Sequence, residues 1–249
     1  MEKTENKNRF GLIGKNIDYS FSRGYFTQKF KDLQLENYTY ENFDFQNIDE
    51  FNTVLTTEKN IKGFNVTIPY KEAVIPFLTE IDEIAKEIGA VNTIKFTPKG
   101  LKGFNTDYYG FQKSIEPFIK KNHKKALILG TGGASKAIAF VLKQFKIAYT
   151  FVSRNPKIGE ITYADLDKTT LENYTIIINC TPLGTYPDID RKPDIPYEFL
   201  NHKHLLFDLI YNPDKTAFLL EGESRGATIK NGDKMLELQA EKAWEIWNS

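Results

Sequence analysis

The sequence predicts an α/β protein in two domains. Two observations carry that expectation: short apolar runs alternate with helical patterns along the chain, and a glycine cluster stands between one such run and an amphipathic helix. At 249 residues the chain is long enough for two cores. Its composition, 41% hydrophobic with 14% aromatic, supplies the side chains to fill them.

Taken in order, Arg9 to Gly14 reads as a short buried strand. Tyr38 to Phe45 and Ile61 to Ile68 read as two more, the latter ended by Pro69. Ile81, Ile84, Ala85 and Ile88 then fall on one helix face, with Gly89 as the stop signal. Ala90 to Phe96 is a strand, and Pro98-Lys99-Gly100 a turn. In the second half, Ala126 to Leu129 runs straight into Gly130-Thr131-Gly132-Gly133-Ala134-Ser135, followed by a helix with Ile138, Val141, Leu142 and Phe145 on one side. Ala148 to Val152, Thr175 to Ile178 and Leu205 to Ile210 are further strands, and Lys234 to Trp247 is a terminal helix. Strands separated by helices indicate parallel βαβ units.

Lys plus Arg equals Asp plus Glu, 33 against 33, which argues against a nucleic-acid partner. One cysteine, Cys180, cannot form an internal disulfide. The polar lead from Met1 to Arg9 lacks the apolar core of a signal peptide, and no stretch approaches the ~20 apolar residues of a membrane helix. We expect a cytoplasmic protein with no membrane or nucleic-acid partner and no metal site. His202 and His204 are expected at the surface, and His123 in a solvated basic turn.

A strand, a glycine-rich turn and a helix form a phosphate-binding device, because glycine admits the pyrophosphate and the helix N-terminus offers unpaired N–H groups. Gly130, Thr131, Gly132, Gly133 and Ala134 are therefore candidate dinucleotide contacts, although Ser135 replaces the third glycine and glycines also make plain turns. The next strand ends in Ser153-Arg154-Asn155, with no acid to bind a ribose 2′-OH. A guanidinium there suits a 2′-phosphate, which favours NADP; the alternative is a surface arginine without a ligand.

The first half carries polar groups. Ser20 and Ser22 could hold one carboxylate, or Ser22 could cap the following helix. Asn65 and Thr67 share a strand face that runs into Lys71 after Pro69. Asp107 follows Asn105-Thr106, at a position that also suits a helix cap.

These segments, in this order, resemble the shikimate dehydrogenase family over nearly the whole chain. Ser20-Phe21-Ser22 is similar to the family's paired serines, and Asn65-Val66-Thr67-Ile68-Pro69-Tyr70-Lys71 to its signature strand and catalytic lysine. Ala90-Val91-Asn92-Thr93, Asn105-Thr106-Asp107, Gly130 to Ser135, Asn179 to Gly184, Tyr211-Asn212-Pro213 and the segment from Asn231 to Gln239 also match. Departures are Arg23 where proline is usual, Ser153-Arg154-Asn155 for Asn-Arg-Thr, and Asp233-Lys234 for an apolar residue and glycine.

The resemblance implies an α/β fold with a substrate-binding α/β domain (1–106 plus 232–249) and a Rossmann-type NADP-binding domain (107–231), with a cleft between them. It implies NADPH-dependent reduction of 3-dehydroshikimate, with Lys71 and Asp107 catalytic. Ser20, Ser22, Asn65, Thr67, Asn92, Tyr211 and Gln239 would bind substrate. Gly130, Thr131, Gly132, Gly133, Ala134, Ser153, Arg154, Asn155, Leu209 and Gly232 would bind the cofactor. The partner is a small molecule, and the chain would be a monomer or homodimer. A relative that also oxidises quinate or uses NAD, and a non-catalytic dinucleotide-binding module, are the competing readings.

Overall fold

In the computed structural model, which describes residues 7–18 and 20–249, the chain divides into two units, Met1–Thr106 with Ala240–Ser249 and Asp107–Gln239. Residues 1–6 and 19 lie outside the described residues, and most of the polar N-terminal lead with them.

The first unit contains β1 (Asn8–Gly14), α1 (Phe21–Asp32), β2 (Tyr38–Asp44), α2 (Glu50–Thr57), β3 (Ile61–Val66), β4 (Glu80–Ile81), α3 (Glu83–Ile88), β5 (Thr93–Thr97) and β6 (Gly100–Phe104). The sheet order is β2-β1-β3-β5-β6-β4. β1 pairs in parallel with β2 and β3, while β5 is antiparallel to both β3 and β6. The tight turn at Pro98–Gly100 accounts for the β5–β6 pair: a hairpin joins antiparallel strands, and Gly100 takes φ 117°, a conformation glycine reaches without strain. The expected helix start at Ile81 moves to Glu83, because Asp82 caps it by accepting from Ile84 N and Ala85 N.

Each face of this sheet has its own core. Phe10, Leu12, Phe26, Phe30 and Tyr40 pack with Ala240, Ala243 and Trp247 of the last helix, α8 (Asp233–Asn248). Ile13, Phe51, Phe64 and Val66 belong to the opposite core. Trp247 Nε1 donates to the Ile94 carbonyl at 3.0 Å, and its indole lies directly over Gly63.

The second unit contains α4 (Asp107–Ile115), β7 (Lys125–Leu129), α5 (Gly133–Gln144), β8 (Ala148–Val152), α6 (Lys168–Asn173), β9 (Ile176–Asn179), β10 (Leu205–Asp208), α7 (Ala217–Ser224) and β11 (Thr228–Lys230). Its sheet runs β11-β10-β9-β7-β8 and every pair is parallel. From β7 the chain steps to β8 on one side, then crosses to β9 on the other, so the order reverses between β7 and β9. Nucleotides bind at the strand carboxyl ends beside such a reversal.

Several expectations are corrected. β10 stops at Asp208 rather than Ile210, because the Asp208 carboxylate takes the Ile210 N–H at 3.0 Å and turns the chain. The chain rejoins the first unit at Ala240, not at 232, since the first turns of α8 pack on α4. There Gly110 lies against the Met235 carbonyl and Gln239, with no room for a methyl group. His204 is buried, not at the surface: Nδ1 accepts from Asn201 N at 3.1 Å and Nε2 meets the Leu171 carbonyl at 2.9 Å. His123 is also buried, with Nδ1 accepting from Lys120 N at 3.1 Å, and burial pushes its pKa down.

A methyl at Gly63 would overlap the Trp247 indole. Gly63→Ala is therefore expected to destabilise by about 1–3 kcal/mol and to lower the apparent Tm by roughly 2–10 °C. Calorimetry checks this, and an unchanged melting curve would mean that the indole can withdraw without loss.

Candidate active site

In the first unit, α1 begins at Phe21 because Ser20 caps it; Ser20 Oγ accepts from Ser22 N at 3.2 Å. The cap thus belongs to Ser20, and Ser22 sits one step inside the helix, buried. At the end of β3, Thr67 N continues the ladder to the Ile13 carbonyl at 2.8 Å. The turn that follows is pinned on three sides. Tyr70 Oη donates to the Phe45 carbonyl at 2.7 Å, Tyr70 N to Thr67 O at 2.9 Å, and Val91 N to the Lys71 carbonyl at 2.7 Å. Lys71 and Thr67, both half-buried, are held at its ends.

Asn65 is buried within the sheet, and its amide is engaged at both ends. Oδ1 accepts from Tyr40 Oη at 2.8 Å, and Nδ2 donates to the Asn92 carbonyl and Thr93 Oγ1, both at 3.2 Å. Of the expected substrate contacts, Asn65 is thus occupied in holding others. Asn92 is fixed the same way: Oδ1 accepts from Thr106 N at 2.6 Å and Nδ2 donates to Thr106 Oγ1 at 3.0 Å. The unit therefore ties Asn65 and Asn92 to Tyr40, Thr93 and Thr106. None of these three partners stood out in the sequence as a site residue, because a tyrosine and a threonine in strands read as ordinary β-formers and Thr106 stands in the short loop before α4.

In the second unit, Gly130 follows β7 with φ 99°, and its N–H donates to the Val152 carbonyl at 2.9 Å, which sets the glycine loop beside the end of β8. Ser153, Arg154 and Asn155 lie just beyond that end, with Arg154 exposed. Gly132 caps α5, and a Cβ built on it meets nothing within 4 Å. The glycine thus leaves open space on its side-chain side at the start of a 12-residue helix. Thr131 is exposed, while Gly133 and Ala134 are half-buried in the first turn of α5. Leu209 and Gly232 are brought together: Gly232 lies against the Leu209 carbonyl with no room for a methyl, and its N–H donates to Ile210 O at 2.9 Å. Asp107 opens α4 and is buried, its carboxylate at the helix end that favours negative charge. Gln239, on α8 against Gly110, donates to the Leu236 carbonyl at 3.1 Å. Tyr211 follows the Asp208 turn.

That turn is built on a buried carboxylate. Asp208 accepts from Asn179 Nδ2 at 3.0 Å, Ile210 N at 3.0 Å and Thr216 Oγ1 at 2.6 Å. Burial nevertheless outweighs the three donors and pushes its pKa up to about 6. Burial and the nearby Asp208 together push the Cys180 thiol up.

A family profile described as "Shikimate dehydrogenase substrate binding domain" matches residues 12–94. The shikimate dehydrogenase (NADP(+)) of Methanococcus vannielii is 39% identical over 95% of this chain and 90% of its own. The chain belongs to the shikimate dehydrogenase family. Among solved structures, the shikimate dehydrogenase of Aquifex aeolicus superposes with a TM-score of 0.87 at 30% identity, covering 98% of this chain and 93% of its own. The enzyme of Thermus thermophilus, solved with NADP(H) and shikimate, gives 0.84 at 28%, covering 96% and 92%. Membership in the shikimate dehydrogenase family agrees with the parallel second sheet and its glycine loop.

Because the Asp208 pKa lies above the ordinary carboxylate value of 3.8, folding takes up a proton between the two values. Stability from this group is therefore full below the unfolded value and lost as pH rises through about 6. Urea titrations of the wild type and Asp208→Asn are expected to diverge, with the wild type gaining about 2 kcal/mol relative to the variant from about pH 7.5 to about pH 4.5. Parallel pH courses would mean that Asp208 keeps an ordinary pKa.

Proposed function

We propose that the chain catalyses the reversible NADPH-dependent reduction of 3-dehydroshikimate to shikimate, a step toward chorismate and the aromatic amino acids. The observation that supports this best is the match to shikimate dehydrogenases over 95% of the chain, with Lys71 on its pinned turn and the glycine loop at the sheet reversal. When bound, NADPH supplies the hydride.

The chain's own residues do the rest. Reduction places negative charge on the former ketone oxygen, so a cation and proton donor are needed there. Lys71 meets both needs, and Asp107 accepts a hydrogen bond from a substrate hydroxyl. Ser20 and Ser22 hold the carboxylate. Thr67, Asn92, Tyr211 and Gln239 hold the ring hydroxyls, which would cost binding energy if buried without partners. Asn65 acts from behind, by fixing Asn92.

The glycine loop takes the pyrophosphate on the N–H groups of α5. Arg154 takes the 2′-phosphate, with Ser153 and Asn155 beside it. Leu209 and Gly232 form the close-packed wall against the nicotinamide end. Among the described residues no helix is long and apolar enough to cross a membrane. We place the protein in the cytoplasm, as a monomer or homodimer.

The deciding experiment is near-ultraviolet absorbance of the protein with shikimate and NADP⁺, with parallel cuvettes holding quinate or NAD⁺. The reduced-nicotinamide band should grow with shikimate and NADP⁺. A signal of equal size with quinate or NAD⁺ would move the assignment to the broader relative, and silence in every cuvette would overturn it. In the same assay Lys71→Ala should lower kcat by roughly 10²- to 10⁴-fold. Undiminished turnover would remove Lys71 from the chemistry. Arg154→Ala should raise the KM for NADP⁺ by roughly 10-fold or more while leaving that for NAD⁺ nearly unchanged. Equal effects on both cofactors would place Arg154 away from the 2′-phosphate.

A further inference from the structure

Strand β9 ends between two stretches that flank the reversal of the second sheet. Its last residue, Asn179, pairs with Leu129, which leads into Gly130, and with Asp208, which leads into Leu209. The backbone carries the ladder past this point on both sides. The Asn179 carbonyl accepts from Leu209 N at 3.0 Å, and Cys180 N donates to the Leu129 carbonyl at 2.9 Å. The Asn179 side chain is wholly enclosed.

The partners of that amide fix which end is which. Thr181 N can only donate, so the atom it meets at 3.0 Å is Oδ1. The Asp208 carboxylate and the Leu183 carbonyl accept, at 3.0 and 3.4 Å, so the atom facing them is Nδ2. Thr181 Oγ1 gives its one proton to Oδ1 at 2.7 Å and accepts from Leu183 N at 3.3 Å. Both N–H groups and both lone pairs of Asn179 are thus engaged within the protein. The result is mechanical. Residues 181–183 are drawn back over the end of β9, and the Thr181 methyl lies 3.1 Å from where a Cβ on Gly130 would stand.

We propose that Asn179 is a positioning residue for the cofactor: by tying Thr181 to Asp208 it fixes the segment that backs Gly130, and so the place where the glycine loop meets the pyrophosphate. The inference rests on the reading of that loop given above. It assigns a role in binding to a side chain that does not touch the cofactor.

The test is Asn179→Ala, which removes the amide and leaves the backbone ladder to Leu129 and Leu209 in place. Calorimetric titration with NADP⁺, without substrate, should show the Kd raised roughly 5-fold, about the worth of one hydrogen bond. The Kd for NAD⁺ should rise by the same factor, because the pyrophosphate is common to both cofactors. The KM for shikimate should stay within about 2-fold of wild type. In the cofactor-free protein, amide hydrogen exchange should quicken at residues 130–134 and 180–184 and stay unchanged in β10 and in the first unit. A merely structural role would quicken exchange throughout the second unit; that result, or an unchanged Kd, would overturn the proposal. Thr181→Ala keeps the test open if Asn179→Ala does not fold, because Thr181 is only half-buried. It removes the hydroxyl and the methyl at the far end of the same link and should weaken both cofactors alike. The double variant should bind no more weakly than Asn179→Ala alone, and fully multiplicative effects would count against the link. A wild-type protein that binds neither cofactor would overturn the functional reading and this inference with it, whereas a difference between two binding proteins bears on Asn179 alone.

Discussion

A polar side chain buried at the end of a strand must find its partners within the protein, because an unmade hydrogen bond there costs about 1–3 kcal/mol. Both units are organised around that requirement. In the first, Asn65, Asn92, Thr93 and Thr106 are almost wholly enclosed and satisfy one another, with Tyr40 closing one end of the series. In the second, Asn179, Asp208 and Thr216 are fully enclosed and do the same. Each member can move only if its neighbours move, which is how a sheet edge made of short loops acquires a fixed geometry.

The two clusters solve the problem differently. The first uses neutral groups, whose amides and hydroxyls share donors and acceptors among themselves. The second uses a carboxylate, which accepts from three donors on three segments: β9, the turn after β10, and Thr216. Thr216 in turn accepts from Leu219 N and caps α7, so one carboxylate ties a strand end to a helix start. An amide could not accept from all three without turning its NH₂ toward a donor. The cost is electrostatic: burial disfavours the charged form and carries the Asp208 pKa to about 6. Asn179 extends the cluster to the glycine loop, because its Oδ1 accepts from Thr181 N and Oγ1, and Thr181 lies beside Gly130.

The second unit was the more legible in sequence. Parallel strands buried on both faces give unbroken apolar runs, and β8 occupies Ala148–Val152 as its run predicts. The glycine loop was legible because its residue types are required by backbone geometry. The first unit was harder to read. Helix α1 buries Ser22, Phe26 and Phe30, one of them polar, on an otherwise charged helix, so its periodicity is weak. Asn65 was readable as a strand residue, whereas β3 ends at Val66, short of the expected Ile68, and the enclosure of Asn65 depends on partners 25 or more residues away, such as Tyr40 and Asn92. His123 and His204 were misread for the same reason. A neutral imidazole between a backbone N–H and a carbonyl is well satisfied in a core, yet nothing in its neighbours' identities announces those partners.

The same logic explains the one departure in the glycine loop. The third glycine of a dinucleotide fingerprint serves close packing of helix and strand. Here Ser135 holds that position, almost fully buried, and turns its Oγ back to the Gly132 carbonyl at 2.7 Å. Its hydroxyl proton is therefore used locally, on the carbonyl of the loop's own Gly132. A larger side chain would have to displace the neighbouring strand, and an unsatisfied one would compete for the N–H groups that a pyrophosphate needs. Serine is small enough to avoid the first difficulty and avoids the second by bonding locally. Replacing the glycine thus changes the letter of the motif while the serine hydroxyl is satisfied locally.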